Sequence, residues 1–233
     1  MTQTFKRRTL IATAATCVLF ATPAWAQSGA PLRVILPVGA GSGVDTIVRT
    51  AQNALSRALG GQAVVVENLP GAGGITGTSA LVKAAPDGNT VAFISNNHSV
   101  NPSVYKNVPY DSLNDLTPIS IVGGSPFVLV VNPTKLPVKD ARELQTLLLS
   151  NAGQFNLGSS GNGTIIHLAG EMFVEATGAK VQHIPYKGMG PMMSDIIAGQ
   201  VDFGVAAVPA AQGHLATGRM RAIGVMGKSR VAS

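Results

Sequence analysis

The chain has 233 residues, 45% of them hydrophobic, and a formal net charge of +6. This apolar content excludes an intrinsically disordered chain and predicts a globular protein of one or two domains. The low proportions of charged and aromatic residues favour an α/β protein with buried strands over a coiled coil.

Residues 1–26 have the pattern of a secretory signal peptide. A basic cluster at residues 6–8 precedes an apolar run, and small residues at 24–26 predict cleavage after Ala26. The run is shorter than the roughly 20 residues of a bilayer span, so cleavage is favoured over a membrane anchor. The paired arginines match a twin-arginine signal only loosely, and an ordinary export signal is favoured.

Cleavage would change the chemistry available to the protein. It would leave 207 residues, remove Cys17 and three of the 17 basic residues, and lower the formal charge from +6 to +3. Disulfides and thiol catalysis are then excluded. No Lys/Arg cluster or aromatic ladder remains, so we expect no nucleic-acid partner, whereas a modest positive charge suits a small anion.

Residues 31–125 are predicted to form a first α/β lobe. Strand-like runs alternate with helical patterns, which predicts βαβ units and a parallel sheet. Asp45 is the predicted N-cap of the first helix. The predicted strands are 32–37, 63–68 and 90–95, and the predicted helices are 45–59 and 75–85.

A second α/β lobe is predicted for residues 126–221, after an irregular connection near 96–126 that contains an extended run at 119–122. Residues 222–233 are predicted to begin a return to the first lobe. The predicted strands of this half are 127–133, 155–160, 181–186, 201–207 and 220–227, and its helices are 139–149, 164–177 and 190–198.

Four loops that follow strands are rich in Gly, Ser, Asn or Thr. They read "PVGAGSGVD", "SNNHSVNP", "SSGNGT" and "PYKGMGP". Glycine permits close backbone approach, and a following helix N-terminus favours an anion. Each loop alone is more simply a tight turn, and Asp45 and Thr164 can be simple N-caps. The repetition across four loops favours a binding cleft between two lobes.

Enzyme signatures are not matched. A dinucleotide fingerprint fails in the first loop at Val44 and Thr46, and in "GAGGITG" at 71–77 it fails at Thr76. Neither of these two loops carries the lysine of a phosphate-binding loop. Asn162 stands where a hydrolase elbow needs glycine. The histidines have no metal-ligand spacing, so we expect no metal, no cofactor and no catalysis. The alternative is a small secreted α/β hydrolase that uses Ser159 or Ser160 with a histidine such as His167.

The order of several motifs resembles the Bug family. The most specific are "ENLPGAGG", "KAAPDGNT" and "SSGNGT...HLAGEMF...PYKG", and the resemblance runs from about Leu32 to Gly227. Members of this family are periplasmic solute-binding receptors of the tripartite tricarboxylate transporter type, also called TctC-like. The resemblance therefore implies a periplasmic, non-catalytic protein.

The resemblance further implies a two-lobed, periplasmic-binding-protein-like architecture of the Venus flytrap type. A small organic acid would be held between the lobes by backbone amides, hydroxyls and water. We expect a monomer that presents its closed form to a membrane permease or sensor. The implied binding residues are Val38, Gly39, Ala40, Gly41, Ser42, Gly43, Asp45, Asn96, Asn97, Ser159, Ser160, Gly161, Asn162, Gly163, Thr164, His167, Tyr186, Lys187, Gly188 and Ala207.

The sequence departs from the family in three places. The family usually has "PFPPGG" where this chain has "PVGAGSG", and a polar residue near Ala206 and Ala207. Its members also continue beyond this chain with a C-terminal segment that completes the first lobe. We therefore expect a first lobe that is incomplete at the C-terminus, with exposed apolar surface and an open sheet edge, and an isolated chain that is poorly soluble or binds no solute.

Overall fold

The computed structural model describes residues 29–231, which contain two β-sheets flanked by helices. The α/β class predicted from the sequence is confirmed. The predicted signal peptide, its cleavage after Ala26 and Cys17 lie outside the described residues.

The first sheet is small and parallel. Its strands are β1 (Leu32–Leu36), β2 (Val64–Asn68) and β3 (Thr90–Ala92), in the order β2-β1-β3. Val34 of the central strand lies opposite Val66 and Val91 and is fully buried. The central strand is buried because both its neighbours and the crossover helices cover it, as parallel pairing requires.

Three helices accompany this sheet: α1 (Gly43–Ala58), α2 (Ile75–Val82) and α3 (Asn97–Val104). Helix α1 packs Val48 against the sheet and ends before Gly60 and Gly61, which both have positive φ. Helix α3 lies where the sequence predicted an irregular connection. Its eight residues include Pro102, which concealed a helical pattern.

The second sheet is larger and mixed. Its order is β6-β5-β7-β4-β8, with β5 parallel to β6 and β7, and β4 antiparallel to β7 and β8. The strands are β4 (Phe127–Val131), β5 (Asn156–Ser159), β6 (Gln182–Pro185), β7 (Phe203–Ala207) and β8 (Arg221–Val225).

Four helices cover this second sheet: α4 (Ala141–Ser150), α5 (Ile165–Thr177), α6 (Met189–Ile197) and α7 (Val208–Ala216). The core includes Leu144, Leu157 and Phe203, which have no exposed surface. Burying one such side chain stabilises the fold by roughly 1.5–3 kcal/mol. Helix α7 was not predicted, because Pro209 and Gly213 interrupt its apolar pattern.

Two predictions about the second half need correction. The extended run at 119–122 is not a strand, because it pairs with no other strand among residues 29–231; Ile119 and Ile121 are 84% and 93% exposed. The predicted end of the second lobe at residue 221 falls within β8. That strand pairs with β4, so the second sheet continues to residue 225.

Candidate functional site

A cleft of about 910 Å³ lies between the two sheets. Its walls include the segments that follow strands β1, β2, β3, β5 and β6, together with Ala207 at the end of β7. The carboxyl ends of parallel strands form the ligand-binding edge of open α/β sheets. The cleft therefore lies where two such edges face each other.

The electrostatics of the cleft favour an anion. Helices α1, α3, α5 and α6 begin at residues that line it, so the positive ends of four helix dipoles face the same space. Lys187 is the one charged residue in its described wall, and no carboxylate of residues 29–231 lines it. A carboxylate group would meet donors and positive charge without a competing anion.

The loop after β1 is held by Asp45 from behind. The Asp45 carboxylate accepts hydrogen bonds from the Gly41 amide (3.0 Å), Asn68 Nδ2 (3.0 Å) and Arg49 Nε (2.9 Å). Ser42 is the N-cap of α1, because its Oγ accepts from the Asp45 amide (3.2 Å). The predicted N-cap at Asp45 is therefore wrong by three residues, and Asp45 is a support for the loop.

The surroundings of Asp45 also set its acidity. Burial alone would raise the pKa of Asp45, but the donated hydrogen bonds and the Arg49 charge outweigh it and hold the pKa below its ordinary value. A lowered carboxyl pKa stabilises the fold above the unfolded-state value of about 3.9, and this contribution is lost as the pH falls through the folded-state value.

We expect Asp45→Ala to lower the free energy of unfolding by about 1–3 kcal/mol at neutral pH, because Arg49 and Asn68 lose a buried acceptor. Urea denaturation at neutral and acid pH would measure this. The difference from wild type should shrink in acid, where the wild-type carboxylate is protonated. Asp87→Ala is the control, since Asp87 is exposed in a turn; an equal loss in both variants would contradict the role of Asp45.

The loop after β5 is held by two side chains that do not line the cleft. The Gly161 amide donates to Ser159 Oγ (3.2 Å), and the Gly163 amide donates to His167 Nδ1 (3.1 Å). Thr164 is the N-cap of α5, as the sequence allowed, and its Oγ1 accepts from the His167 amide (3.2 Å). Two of the loop amides are thus used within the protein.

The two lobes touch across the cleft. The Ile165 amide at the start of α5 donates to Asn97 Oδ1 (2.8 Å), and Tyr105 Oη donates to the Asn162 carbonyl (2.7 Å). On the other side, a Cβ on Gly188 would lie 3.3 Å from the Gly39 Cα, so the two backbones meet without side chains between them. Asn97, which is 8% exposed, therefore links the two lobes through its side-chain hydrogen bond to Ile165.

Tyr186 presents its ring to the cleft while its hydroxyl is engaged elsewhere. Its Oη donates to Asp195 Oδ2 (2.6 Å) of helix α6. Burial raises the pKa of Tyr186 to about 12, and the Asp195 carboxylate adds to the shift. The hydroxyl therefore stays protonated and fixes the ring against α6.

Fourteen of the 20 predicted binding residues line the cleft. They are Val38, Gly39, Ser42, Gly43, Asn96, Asn97, Ser160, Gly161, Asn162, Thr164, Tyr186, Lys187, Gly188 and Ala207. Contact of these residues with a solute remains a prediction.

Six predicted binding residues do not line it. Ala40 and Gly41 are exposed and lie next to Gly190 of the second lobe, and Asp45 lies behind their loop. Ser159 has no exposed surface and bonds His183 Nε2 (2.6 Å). A Cβ on Gly163 would meet Val104, so this glycine faces helix α3. His167 supports the loop from behind.

Several wall residues were missed by the sequence reasoning. Residues 70–74 contribute a glycine turn, and Gly71, Gly73 and Gly74 have positive φ there. The "GAGG" motif was used only as a failed nucleotide loop and as part of the family resemblance, and its residues were not among the predicted binding residues. Tyr105, Gly123–Ser125 and Phe127 also line the cleft, and Tyr105 gave no signal because it lies in a stretch rich in turn formers.

His167, Glu171 and His183 come together behind the loop after β5, although their spacing in sequence gave no metal signature. Candidate ligand atoms of the three lie within 4.8 Å of one another. The imidazole rings are stacked, with centroids 4.0 Å apart and planes 17° apart. Lone pairs lie in the ring planes, so two nearly parallel rings do not converge on one ion, and the group does not fit a metal as it stands.

No helix within residues 29–231 is long and apolar enough to cross a bilayer.

Comparison with known proteins gives consistent matches. Residues 47–233 match the profile of the tripartite tricarboxylate transporter family receptor, TctC. The chain is 36% identical to protein BugT of Bordetella pertussis over 202 residues, which are 86% of this chain and 61% of BugT. The chain thus spans about three fifths of this relative's length.

Solved structures match the fold. The periplasmic binding protein BugD superposes with a TM-score of 0.82 and 33% identity, over 86% of this chain and 67% of that one. A protein of R. palustris, Rpa4515 with adipate, gives a TM-score of 0.79 and 29% identity, over 84% of this chain and 65% of that one. The predicted two-lobed, periplasmic-binding-protein-like fold is confirmed, and it is incomplete relative to these structures.

Proposed function

The chain belongs to the tripartite tricarboxylate transporter receptor family, and from this premise we propose that it is a periplasmic receptor that binds a small organic acid between its lobes. The observation that carries the proposal is the convergence of four helix N-termini and Lys187 on one cleft without a carboxylate in its described wall. Such a cleft stabilises negative charge mainly through main-chain donors.

A dicarboxylate fits this cleft well. Helices α1 and α3 begin on one wall and α5 and α6 on the other, so two carboxylates of one short chain can each meet a pair of helix ends. Apolar residues between them, Ile47, Ile94 and Ile166, suit a methylene chain. The adipate in Rpa4515 supports this class of solute.

The proposed receptor acts as a monomer in the periplasm. Solute would stabilise the arrangement in which Asn97 and Tyr105 touch the second lobe, since it favours the conformation it binds best. A membrane permease or sensor would then read this arrangement. In this proposal, solute binding favours the contacts across the cleft, and these contacts fix the relative position of the two lobes that a permease or sensor would bind.

The hydrolase alternative rests on one pair of side chains. Ser159 Oγ and His183 Nε2 are 2.6 Å apart, a distance that suits a nucleophile and its base. However, Ser159 is fully buried, and its Oγ also accepts from the Gly161 amide. A substrate could not reach it without opening the loop, so the receptor is favoured.

The sequence-based expectation was an isolated chain that is poorly soluble or binds no solute, but both walls of the cleft lie within residues 29–231. We therefore expect adipate to raise the melting temperature of the protein and to bind with measurable heat, whereas the neutral diamide of the same chain length should bind much more weakly. Calorimetry and a thermal-shift series of dicarboxylates, aromatic acids and amino acids would test this. Lys187→Met should weaken adipate several-fold, because it removes the cation in the cleft wall.

Lys180→Met is the matched control, since Lys180 is exposed and lies outside the cleft wall. Stabilisation without turnover supports the receptor. Equal binding of the diacid and its diamide would contradict the anion cleft, and ester hydrolysis lost in Ser159→Ala would favour the hydrolase.

A further inference from the structure

Two stacked histidines lie directly behind the loop after β5. His167 is on helix α5 and His183 on the edge strand β6, and their ring centroids are 4.0 Å apart. Neither residue lines the cleft. The proposed receptor function does not use them directly, yet each is connected to an amide of the loop that does line it.

The hydrogen bonds of His167 fix its tautomer. Nδ1 accepts from the Gly163 amide (3.1 Å), so this nitrogen carries no proton. The ring proton is therefore on Nε2, which faces Glu171 Oε1 at 3.4 Å. His167 holds the loop only as a neutral imidazole.

His183 supports the same loop through one intermediate. Its Nε2 bonds Ser159 Oγ (2.6 Å), and that oxygen accepts from the Gly161 amide (3.2 Å). Ser159 has no exposed surface, so this connection is shielded from water. The two glycine amides of the loop thus end on two histidines that touch each other.

We propose that His167 is a positioning residue for the loop of residues 160–164, and that protonation of His167 breaks its bond with the Gly163 amide, releases this loop and weakens solute binding in mild acid. The inference rests on the proposed function, because the loop forms one wall of the solute cleft. It adds to that function a built-in dependence of affinity on pH.

The physical reason is a conflict between two donors. If His167 Nδ1 were protonated, two N–H donors would face each other, and the Gly163 amide would have no acceptor for its hydrogen bond. A second positive ring at 4.0 Å would add repulsion, which Glu171 on the same helix offsets only in part. The groups known to face His167 are thus Glu171 from α5 and His183 from β6, with neutral Ser159 from β5 behind His183.

The pKa of His183 is shifted in the direction that favours neutral rings. Burial lowers the pKa of His183, the charge of His167 lowers it further, and Glu171 opposes both. A histidine with a lowered pKa favours the folded arrangement above its ordinary value of about 6.5, and this contribution is lost as the pH falls below it. A positive charge on His183 in acid therefore opposes the stacked arrangement of the two rings.

The test measures adipate affinity at about pH 7.5 and about pH 5.5, on either side of the ordinary histidine pKa. Wild type should bind adipate at least about tenfold more weakly at the lower pH, because the hydrogen bond between His167 and Gly163 is lost. His167→Asn places an amide oxygen near the position of Nδ1 and cannot titrate. It should bind like wild type at the higher pH and lose most of the pH dependence.

Two further variants complete the set. His167→Ala should bind weakly at both pH values, since the Gly163 amide then has no acceptor. His214→Asn is the control, because His214 lies on α7 outside the cleft wall, and it should behave like wild type. Any effect of acid on adipate itself would persist in His167→Asn, so an equal pH dependence in wild type and His167→Asn would overturn the inference while leaving the receptor function intact.

A measurement without solute separates the two proposals. Nitrogen-15 NMR should show His167 Nδ1 unprotonated at neutral pH, and the Gly163 amide signal should shift as His167 titrates in wild type but not in His167→Asn. If this occurs and no acid binds at any pH, the proposed function fails and the positioning role stands. A Gly163 signal that ignores the titration would overturn the positioning role.

Discussion

Gly188→Val is expected to weaken solute binding at least about tenfold while the protein remains folded. Gly188 has φ of +122°, a region that a β-branched residue does not adopt without strain, and a Cβ there would lie 3.3 Å from the Gly39 Cα. The side chain would hold the lobes apart where their backbones meet. The backbone strain of roughly 1–3 kcal/mol lowers the stability of the fold. The clash opposes contact between the lobes, and each cost of about 1.4 kcal/mol that it adds to this contact weakens binding about tenfold.

A matched variant separates strain from the clash. Gly178 has φ of +70° at the end of α5, and a Cβ there would meet nothing within 4 Å. Gly178→Val should lower the melting temperature and leave adipate affinity unchanged. Calorimetry of both variants decides the matter, and an affinity loss in Gly178→Val as large as in Gly188→Val would contradict the role assigned to the contact with Gly39.

The local pattern of the sequence was sufficient for most of the two sheets. Strands β4 and β7 are continuous apolar runs and are almost wholly buried, and helices such as α1 have a clear apolar face. The run at 119–122 has the same local character but is not a strand. A strand needs a partner for its backbone groups, and sequence alone does not say whether the chain supplies one.

The candidate site was predictable in its loops but not in its contacts. Glycine-rich loops after strands indicate where a backbone can approach a solute, and most of the residues predicted from them line the cleft. The roles of Asp45, Ser159 and His167 were not predictable, because each depends on a partner that only the folded chain brings near. Asp45 meets Asn68, and Ser159 meets His183.

Residues that bridge the lobes were the hardest to identify. Tyr105 reaches the Asn162 carbonyl across 57 positions of sequence. Asn97 was predicted to contact solute, yet its Oδ1 accepts from the Ile165 amide of the opposite lobe. A polar residue at the edge of a cleft can bind the solute or bind the other wall, and its type is compatible with both.

Two substitutions at Asn97 distinguish these roles. Asn97→Ala leaves the Ile165 amide without its acceptor, at a cost of about 1–3 kcal/mol for a buried donor. We therefore expect roughly 5- to 150-fold weaker binding of every solute that requires contact between the lobes, whether charged or neutral. Calorimetry with adipate and its diamide would measure the loss for each.

Asn97→Asp should behave differently, because a carboxylate keeps the acceptor for Ile165 and lies favourably at the start of α5. The lobes should still close, but the added negative charge in the cleft should weaken the diacid and spare the diamide. Lowering the pH should restore part of the adipate affinity as the new carboxyl is protonated. Equal losses for diacid and diamide in Asn97→Asp would contradict this assignment, since they would mean that Asn97 contributes through its shape and not through the bond that it accepts.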